Sequence, residues 1–548
     1  VQPLDEKGRS LQLMRSWMTA MPGEVLQCNG CHESQNDTAL TKTTLAVGLK
    51  PARITPWRGP TRGFDYSREV QPVIDRHCVG CHNGEPLDDG TVTINLRGDQ
   101  MIDDFKMVTA GNGGNRGGRF SVGYAELHRF VRRSGIESDI HLLTPMEFHA
   151  GTTELVQMLE KGHQGVKLDD ESWDRLNTWI DMNCPYHGTW GENLNDYAVQ
   201  QNTRRMDLLK LYAGIEDNPE YVFVTSNQPP EFVKPEPIAG PEPLDFSDME
   251  WPLSVDQATA KQAQLGDIRK TIDLGGEQTI ELALVPAGEF VMGSADGPAD
   301  EWPQAKVRID RPFWIGVHEI SNAQYAQFDP EHDSHVEPKQ AYQFGVHGYP
   351  MDRPEQPVVR VSWDRATAFC RWLSEKTGNT VTLPTEAQWE YAARAGSAAP
   401  FWFGGLDDDF GPYANMADVN IRKFSSNPYT VDQAYPNATK YDDYMPRERR
   451  FDDGVLLTCE GGKYQPNPWG LCDMHGNAAE WTRSLYRPYP YDAGDGREDI
   501  TSTERRVVRG GSWRDRPKRS TASYRLGYEK YQRLFNVGFR VVIAVDQH

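Results

Sequence analysis

Two short cysteine motifs near the start of the chain constrain its fold more than any other feature. Each has the pattern C-x-x-C-H, at residues 28–32 and 78–82. Two thiols at this spacing can bond to the vinyl groups of one porphyrin, and the adjacent histidine can then bind the iron. With 8 cysteines in 548 residues, two such motifs are not expected by chance. The sequence therefore predicts two covalent c-type haems in a mainly α-helical domain.

The predicted haem-binding residues are the cysteines and histidines of the two motifs, namely Cys28, Cys31, His32, Cys78, Cys81 and His82. The alternatives are a redox dithiol, a zinc ligand set or a structural disulfide, and a redox dithiol needs no adjacent histidine. His163 follows a predicted amphipathic helix at residues 154–161 and is the favoured second ligand of the His82 iron. Bis-histidine iron is six-coordinate and suits electron transfer.

Other residues compete for the remaining ligand positions. Beside His163, which is otherwise an ordinary histidine at a helix end, the candidates for the second iron are His128, His141 and His149. For the first iron they are Met14, Met18, Met21 and His187. Methionines and histidines at such positions are more commonly core or surface residues, so the second ligand of the first iron stays open.

Charge and hydropathy limit the partners and the compartment. The chain carries 58 basic and 79 acidic residues, a formal charge of -21, which argues against nucleic acid or an anionic membrane as partner. No apolar run is long enough to cross a bilayer. Because haem is attached to these motifs after export, we expect a periplasmic or extracellular protein with a redox partner protein. The chain starts at Val1, so the numbering resembles that of a mature or truncated form.

Composition divides the chain into three parts. Residues 1–215 form the predicted dihaem domain, with a further helix at residues 168–182. Residues 216–267 contain a linker, with six prolines in residues 227–243, and a short helix. Residues 268–548 begin with a predicted strand at residues 279–285 and form a second domain. Cys459 and Cys472 lie in this domain and can pair only if their geometry allows it.

The N-terminal part resembles proteins related to the alpha subunit of hydrazine synthase. The resemblance rests on LQLMRSWMTAMPGE at residues 11–24, the two haem motifs, ELVQMLEKGH at residues 154–163, TWIDMN at residues 178–183 and PYHG at residues 185–188. It covers roughly residues 1–215 and implies one bis-histidine haem, held by His82 and His163. The catalytic haem of hydrazine synthase has a tyrosine where this chain has His32, so the resemblance implies a dihaem module and not hydrazine chemistry.

The C-terminal part, about residues 270–545, resembles the formylglycine-generating (sulfatase-modifying factor) family. The shared motifs occur in family order: VPAGEFVMG at 285–293, VHEISNAQY at 317–325, PVVRVSW at 357–363, LPTEAQWEY at 383–391, GNAAEW at 476–481, RGGSW at 509–513 and GFR at 538–540. The resemblance implies an α+β fold of the C-type-lectin kind. The family's oxidase activity uses two copper-binding cysteines shortly after the Gly-Gly-Ser motif, but residues 514–524 here contain none. We therefore do not expect formylglycine generation.

The same resemblance implies two calcium sites, built from oxygen ligands of the kind that calcium prefers. The first maps onto Asn415, Met416, Asp453 and Val455, and the second onto Asp473, Gly476, Ala478 and Glu480. The alternative is that Asn415 and Asn477 only stabilise turns and that Glu480 pairs with an arginine. Calcium bound here would stiffen loops and take no part in catalysis.

Three functions are compatible with these features. The first is an exported dihaem cytochrome for electron transfer, whose C-terminal domain docks it to a partner or binds a glycan or protein ligand. The second is a haem oxidoreductase whose five-coordinate first haem acts on a small nitrogen or oxygen species. The third is a C-terminal oxidase with haem as electron acceptor, but the required cysteines are missing. The sequence favours the first.

Overall fold

We describe the chain from a computed structural model. The description covers residues 2–12, 38, 48–50, 57–59, 62–87, 90–102, 120–133, 144–189, 196–218, 240–338, 348–425 and 445–545. The first haem motif, with Cys28, Cys31 and His32, therefore lies outside the described residues, as do Met14, Met18, Met21 and His141. In the described part of the chain, no helix combines the length and apolar character needed to span a bilayer.

Short helices dominate the described residues of the N-terminal half. They are α1 (Tyr66–Glu69), α2 (Gln71–His77), α3 (Val122–Leu127), α4 (Glu154–Glu160), α5 (Asp170–Asp181) and α6 (Asp196–Ala213), with a small antiparallel pair, β1 (Met101–Ile102) and β2 (Phe120–Ser121). The helices predicted at residues 154–161 and 168–182 are confirmed as α4 and α5. The core beneath them is aromatic: the ring of Tyr66 lies 5.2–5.8 Å from those of Tyr124, Trp179 and Tyr186.

Two small sheets organise the C-terminal half. Their strands are β3 (Arg269–Gly275), β4 (Gln278–Val285), β7 (Phe313–Gly316), β10 (Val381–Thr382), β11 (Ala479–Leu485), β12 (Arg506–Arg509), β13 (Arg525–Tyr528), β14 (Val537–Gly538) and β15 (Val542–Ala544). The first sheet has five antiparallel strands in the order β10-β15-β7-β4-β3. The second has the order β13-β12-β11-β14, in which β14 runs parallel to β11. The expected α+β class of this half is confirmed.

In the described residues of this half, two antiparallel strand pairs and four α-helices accompany the sheets. They are β5 (Gly288–Met292) with β6 (Ala305–Ile309), β8 (Val336–Pro338) with β9 (Gly348–Pro350), α7 (Val255–Ala263), α8 (Asn322–Tyr325), α9 (Trp363–Thr377) and α10 (Glu386–Arg394). Helix α9 begins where the Ser362 hydroxyl accepts a hydrogen bond from the Arg365 amide, and it ends at Gly378, with φ of 73°. Its buried residues Ala366, Phe369, Cys370 and Leu373 recur at helical spacing and face the core.

The chain between the two halves also contributes to the C-terminal core. Trp251 and Ala258 lie in the predicted linker and short helix, and both are buried among residues of the C-terminal half. The indole of Trp469 donates a hydrogen bond to the Ala258 carbonyl at 3.1 Å. The segment that carries α7 is therefore packed against the C-terminal domain.

The two halves also contact each other directly, through buried charged residues. Glu147 accepts hydrogen bonds from Arg132 at 3.1 Å and from Arg360 at 2.8 Å, and Arg132 also donates to Glu337 at 3.0 Å. All four side chains are buried. Because a buried charge is costly without its partner, these pairs fix the position of the N-terminal helices relative to the C-terminal sheets.

Candidate functional site

The second C-x-x-C-H motif forms a tight turn at the end of α2. The Cys78 amide donates to the Ile74 carbonyl at 2.8 Å, and the His82 amide donates to the Cys78 carbonyl at 3.0 Å. Val79 is fully buried in the aromatic core, which holds the turn in place. Cys78 and Cys81 are half-buried free thiols. The backbone therefore presents two thiols and one imidazole from a single turn, as covalent haem attachment requires.

The ring of His163 lies close to the ring of His82 and roughly parallel to it. Their centroids are 6.0 Å apart and their planes differ by 22°. Two imidazoles that bind one metal ion from opposite sides have centroids roughly 6 Å apart, because each metal–nitrogen bond is about 2 Å long. The pair predicted from sequence is therefore brought together at the spacing that a bis-histidine iron needs.

His163 reaches this position through a turn that departs from helical geometry. Helix α4 ends at Glu160, and Gly162 then adopts a left-handed conformation with φ of 88°. Glycine takes this conformation without the cost that a side chain adds. The chain continues as a short 3₁₀ turn, His163–Gly165. The turn therefore carries the imidazole away from the end of α4.

Burial favours the neutral form of both imidazoles. Burial lowers the pKa of His163 to about 4, and the neighbouring His82 and the cationic Lys518 act in the same direction. Burial also lowers the pKa of His82, with a smaller contribution from Lys518 and an opposing one from the Ile94 carbonyl. A neutral imidazole has the free lone pair that a metal ligand needs.

The other described histidines have different surroundings. His128 is buried, its Nδ1 lies 3.1 Å from the Tyr124 carbonyl, and burial lowers its pKa to about 3. His149 is buried beside the Phe148 ring, and His187 packs against Tyr186 with centroids 4.9 Å apart. Among the described candidates it is His163 that the fold places against His82.

Residues 514–524 occupy the place that the family resemblance assigns to copper-binding cysteines. The hydroxyls of Thr521 and Ser523 lie 3.3 Å apart, and Ser520 is buried beside them. Arg519 donates to Asp515 at 2.9 Å and to Gln157 of α4 at 2.8 Å. Hydroxyls and cations cannot replace two thiolates as ligands of a soft metal. This segment instead packs against the N-terminal half.

The four residues of the first predicted calcium site lie together. The Asp453 carboxylate accepts hydrogen bonds from the backbone amides of Met416 and Val455, at 2.9 and 2.8 Å. Burial and the neighbouring Asp418 raise the pKa of Asp453 to about 8. The Asn415 Oδ1 atom is buried and has no hydrogen-bond partner among the described residues. The fold therefore brings these four residues together, and a calcium ion held by them stays a prediction.

The residues of the second predicted site have two kinds of surroundings: Asp473 has an unpaired oxygen among the described residues, and Glu480 is in an ion pair. Asp473 and Glu319 each have one buried carboxylate oxygen that finds no hydrogen-bond partner within the described chain. Burial and Asp473 raise the pKa of Glu319 well above its usual range. Glu480 is engaged by Arg540 at 2.6 Å and by the Trp389 indole at 2.8 Å, which is the arginine pairing that the sequence left as an alternative.

Backbone contacts also involve two residues of the second predicted site, Gly476 and Ala478. Gly476 forms a parallel bridge with Asn415, and the Ala478 amide donates to Glu319 at 3.3 Å. Glu319 has no motif spacing to Asp473, so sequence analysis missed it. Within the described residues, no group of three or more His, Cys, Asp or Glu side chains has the arrangement of a metal site. Cys459 and Cys472, which lie near this loop, are both free thiols.

The comparisons with known proteins concern mainly the C-terminal half. The family described as sulfatase-modifying factor enzyme 1-like domain matches residues 274–545. Formylglycine-generating enzyme from Streptomyces coelicolor is 31% identical over 281 residues, which cover 42% of this chain and 77% of the relative. Inactive C-alpha-formylglycine-generating enzyme 2 from Bos taurus is 27% identical over 314 residues, which cover 49% of this chain and 90% of the relative.

Two further similarities are narrower. The family described as hydrazine synthase alpha subunit middle domain matches residues 1–33, which include the first C-x-x-C-H motif. This match is much shorter than the 215 residues that the sequence resemblance spans, and the dihaem module stays a prediction. Among solved structures, PvdO from Pseudomonas aeruginosa is 26% identical, with a TM-score of 0.38, and the alignment covers 50% of this chain and 98% of PvdO.

The position of the family match agrees with the fold. It begins at the end of β3 and ends one residue after β15, so it includes the whole four-stranded sheet and almost all of the five-stranded sheet. The segment without cysteines, residues 514–524, lies inside it. Through residues 274–545, the chain belongs to the formylglycine-generating (sulfatase-modifying factor) enzyme family.

Proposed function

We propose that this chain is an exported dihaem c-type cytochrome that transfers electrons, and that its formylglycine-generating-enzyme-like domain is non-catalytic. The proposal depends on one observation: the ring centroid of His82, the last residue of the second C-x-x-C-H motif, lies 6.0 Å from that of His163. In this proposal Cys78 and Cys81 bind the porphyrin through thioether links, and the two imidazoles bind the iron. Haem supplies a one-electron couple when bound, and two histidine ligands leave no position for a substrate.

The residues around the second motif have supporting roles. Burial lowers the pKa of both imidazoles, which favours the neutral form that binds iron. The buried core around Val79 fixes the motif, and the turn at Gly162 fixes His163. A haem bound here would therefore be held by residues whose positions the surrounding packing fixes.

Two features support a non-catalytic C-terminal domain. Residues 514–524 lack the cysteines used by the oxidases of the family. One of the similar proteins is itself named as inactive. In this proposal the domain binds calcium and docks the cytochrome to a redox partner or to a glycan or protein ligand. The expected location of such a protein is the periplasm or the cell exterior.

Haem counting tests the proposal. The full chain is exported from a bacterial host that attaches c-type haem, and its intact mass and Soret absorbance are measured. We expect two haems, with one lost in the double variant Cys78→Ala/Cys81→Ala and the other lost in Cys28→Ala/Cys31→Ala. Cys370→Ala removes a thiol that is buried in α9, and it should keep both haems. A polypeptide without haem mass and without a Soret band would refute the proposal.

One observation favours a second candidate function. The match of residues 1–33 to the hydrazine synthase alpha subunit includes the first haem motif. The alternative is therefore a haem oxidoreductase that acts on a small nitrogen or oxygen species at a five-coordinate first haem. Carbon monoxide binds an open ferrous position, so one equivalent bound per protein would favour this alternative. Low-spin spectra for both haems would exclude it.

A further inference from the structure

The turn that carries His163 is anchored by the C-terminal domain. The Lys161 ammonium donates a hydrogen bond to Oδ2 of Asp300 at 2.6 Å, and the Tyr486 hydroxyl donates to the same oxygen at 2.6 Å. The Lys161 side chain is only 5% exposed, so this contact lies inside the protein. Lys161 and His163 are two residues apart, whereas Asp300 and Tyr486 belong to the C-terminal half.

Packing supports the same contact. A Cβ atom added to Gly162 would lie 3.4 Å from the Cβ atom of Ala299, so the backbone of the turn rests on the segment that carries Asp300. The Lys161 ammonium also lies 4.4 Å from the centroid of the Tyr524 ring, at a cation–π distance. Lys161 is therefore enclosed by an anion and an aromatic ring of the same domain.

The rest of α4 is held by the same domain. Glu154, in its first turn, pairs with Arg516. Gln157, in its middle, accepts a hydrogen bond from Arg519 at 2.8 Å and donates one to the Tyr528 hydroxyl at 2.9 Å. These contacts are spaced three to four residues apart along the helix, so one face of α4 is bound along its length.

The facing histidine is held differently. The His82 carbonyl accepts a hydrogen bond from the Leu96 amide at 2.7 Å, and the Cys81 carbonyl accepts one from Thr93 at 2.8 Å. These partners belong to the N-terminal half. One imidazole of the pair is thus fixed by its own half of the chain, and the other is fixed across the boundary between the halves.

We propose that Asp300 is a positioning residue for His163, and that the C-terminal domain thereby maintains the coordination of the second haem. The inference rests on the proposed function, because it concerns the iron held by His82 and His163. It assigns to the non-catalytic domain a structural role in the electron-transfer site. Asp300 acts through Lys161 and does not touch the imidazole pair.

The test compares substitutions in this anchor with a matched control. In Asp300→Asn the buried Lys161 ammonium loses its counter-charge, so the turn should shift and release His163 from the iron. Asp248→Asn is the control, because Asp248, in the linker, makes an exposed ion pair with Lys306 of the C-terminal half. His163→Ala is the reference in which the ligand is removed completely. The measurements on the full-length haem-loaded protein are the high-spin fraction, carbon monoxide binding and the reduction potential of the second haem.

We expect Asp300→Asn to raise the carbon-monoxide-binding fraction of one haem roughly tenfold over wild type, toward the value of His163→Ala. Tyr486→Phe removes one hydrogen bond from Asp300 and leaves the ion pair, so it should fold normally and give a smaller change in the same direction. Asp248→Asn should resemble wild type. If Asp300→Asn does not fold, Tyr486→Phe decides the test.

The outcomes separate the two proposals. If His163→Ala converts one haem to the carbon-monoxide-binding form while folded Asp300→Asn and Tyr486→Phe both match wild type, the positioning role is refuted and the cytochrome proposal stands. If wild type has no low-spin haem, or His163→Ala changes neither haem, the His82–His163 assignment fails first. An equal change in Asp248→Asn would also refute a specific role for Asp300.

Discussion

The two halves of the molecule satisfy their buried polar groups in different ways. In the C-terminal half five arginine side chains are fully buried, and each meets a carboxylate or backbone carbonyls; they are Arg497, Arg506, Arg509, Arg525 and Arg540. The described N-terminal half also contains buried ion pairs, such as Arg132 with Glu147, but its core is aromatic and two thiols and two imidazoles come together beside it. These five arginines find partners within the C-terminal half, whereas the two thiols and two imidazoles of the N-terminal half are the residues predicted to hold a haem.

The two groups of residues should therefore affect different properties: the buried arginines affect stability, and the thiols and imidazoles affect function. A charge network that is closed within the protein contributes to a unique packing but offers no group for chemistry. Neutral imidazoles and thiols contribute little to stability on their own, but they are the groups that bind haem. Substitutions in each half can test whether the halves differ in this way.

The largest effect is expected from Glu386, which joins several of the buried arginines. It contacts Arg525 at 2.8 Å and lies within 4 Å of Arg497 and Arg509. Glu386→Gln leaves these cations without their shared counter-charge, and we expect it to lower the free energy of unfolding by about 3–5 kcal/mol. Chemical denaturation of the full chain measures this. The control is Asp310→Asn, in an exposed pair with Arg308, for which about 0.5 kcal/mol or less is expected. Equal losses in both variants would contradict the closed-network interpretation.

A pH dependence should arise from Glu301, which is buried next to the anchor of α4. Burial and Asp300 raise the pKa of Glu301 to about 7, against the opposing effects of Lys161, Ser523 and Arg509. The folded state therefore holds the proton more tightly than the unfolded chain. This contribution to stability is full below about pH 4.5 and is lost as the pH rises through about 7, a change of about 3 kcal/mol.

Glu301→Gln should remove this part of the pH dependence. The measurement is the free energy of unfolding of wild type and variant at intervals from pH 4.5 to 8. We expect the difference between the two curves to change with pH only in this window. Parallel curves would show that Glu301 has the same pKa in the folded and unfolded chain.

Calcium should stabilise the C-terminal half by a smaller amount. At a free concentration one hundred times the dissociation constant, a single site adds about 2.7 kcal/mol to the free energy of unfolding. We expect a chelator to lower the Tm of the full chain and calcium to restore it. Asp473→Asn replaces a buried carboxylate that has one unpaired oxygen among the described residues, and it should weaken the response. A Tm that is unchanged by calcium and by the chelator would remove calcium from the proposal.

The smallest effect concerns two tyrosines of the aromatic N-terminal core. The Tyr66 hydroxyl is buried and has no hydrogen-bond partner in the described part of the chain, so Tyr66→Phe should be neutral or stabilise by up to about 1 kcal/mol. The Tyr124 hydroxyl donates to the Cys184 carbonyl at 2.9 Å, so Tyr124→Phe should destabilise by about 1 kcal/mol. In thermal denaturation, the free energies of unfolding of the two variants should change in opposite directions or differ by at least about 1 kcal/mol. A larger loss in Tyr66→Phe would indicate a bond that this core does not show.

Local patterns in the sequence were sufficient for much of the fold. The predicted strand at residues 279–285 corresponds to β4, where Ile280 and Leu282 are buried and Glu281 is exposed. The pairing of His82 with His163 was also predicted, because the histidine follows an amphipathic helix and the C-x-x-C-H motif is distinctive. Helix α6 was missed, since its apolar residues Leu208, Leu211 and Tyr212 are exposed and give no clear stripe.

Contacts between distant parts of the chain could not be predicted. Lys161 and Asp300 are 139 residues apart, and Glu154 and Arg516 are 362 apart. Neither pair lies in a repeat or motif that would connect its members. Glu319 lies in the motif at residues 317–325, but that motif has no fixed spacing to Asp473, and the fold alone brings their two loops together. Such pairs depend on how the two halves dock, which local periodicity does not encode.

The short spacing between Lys161 and His163 restricts how this region can change during evolution. Only Gly162 separates Lys161, which the C-terminal domain binds, from His163, the predicted iron ligand. Inserting or deleting a single amino acid there would rotate the imidazole away from its counterpart, while a longer surface loop elsewhere would be harmless. Homologues that keep the imidazole pair should therefore vary in length on either side of this turn but not within it.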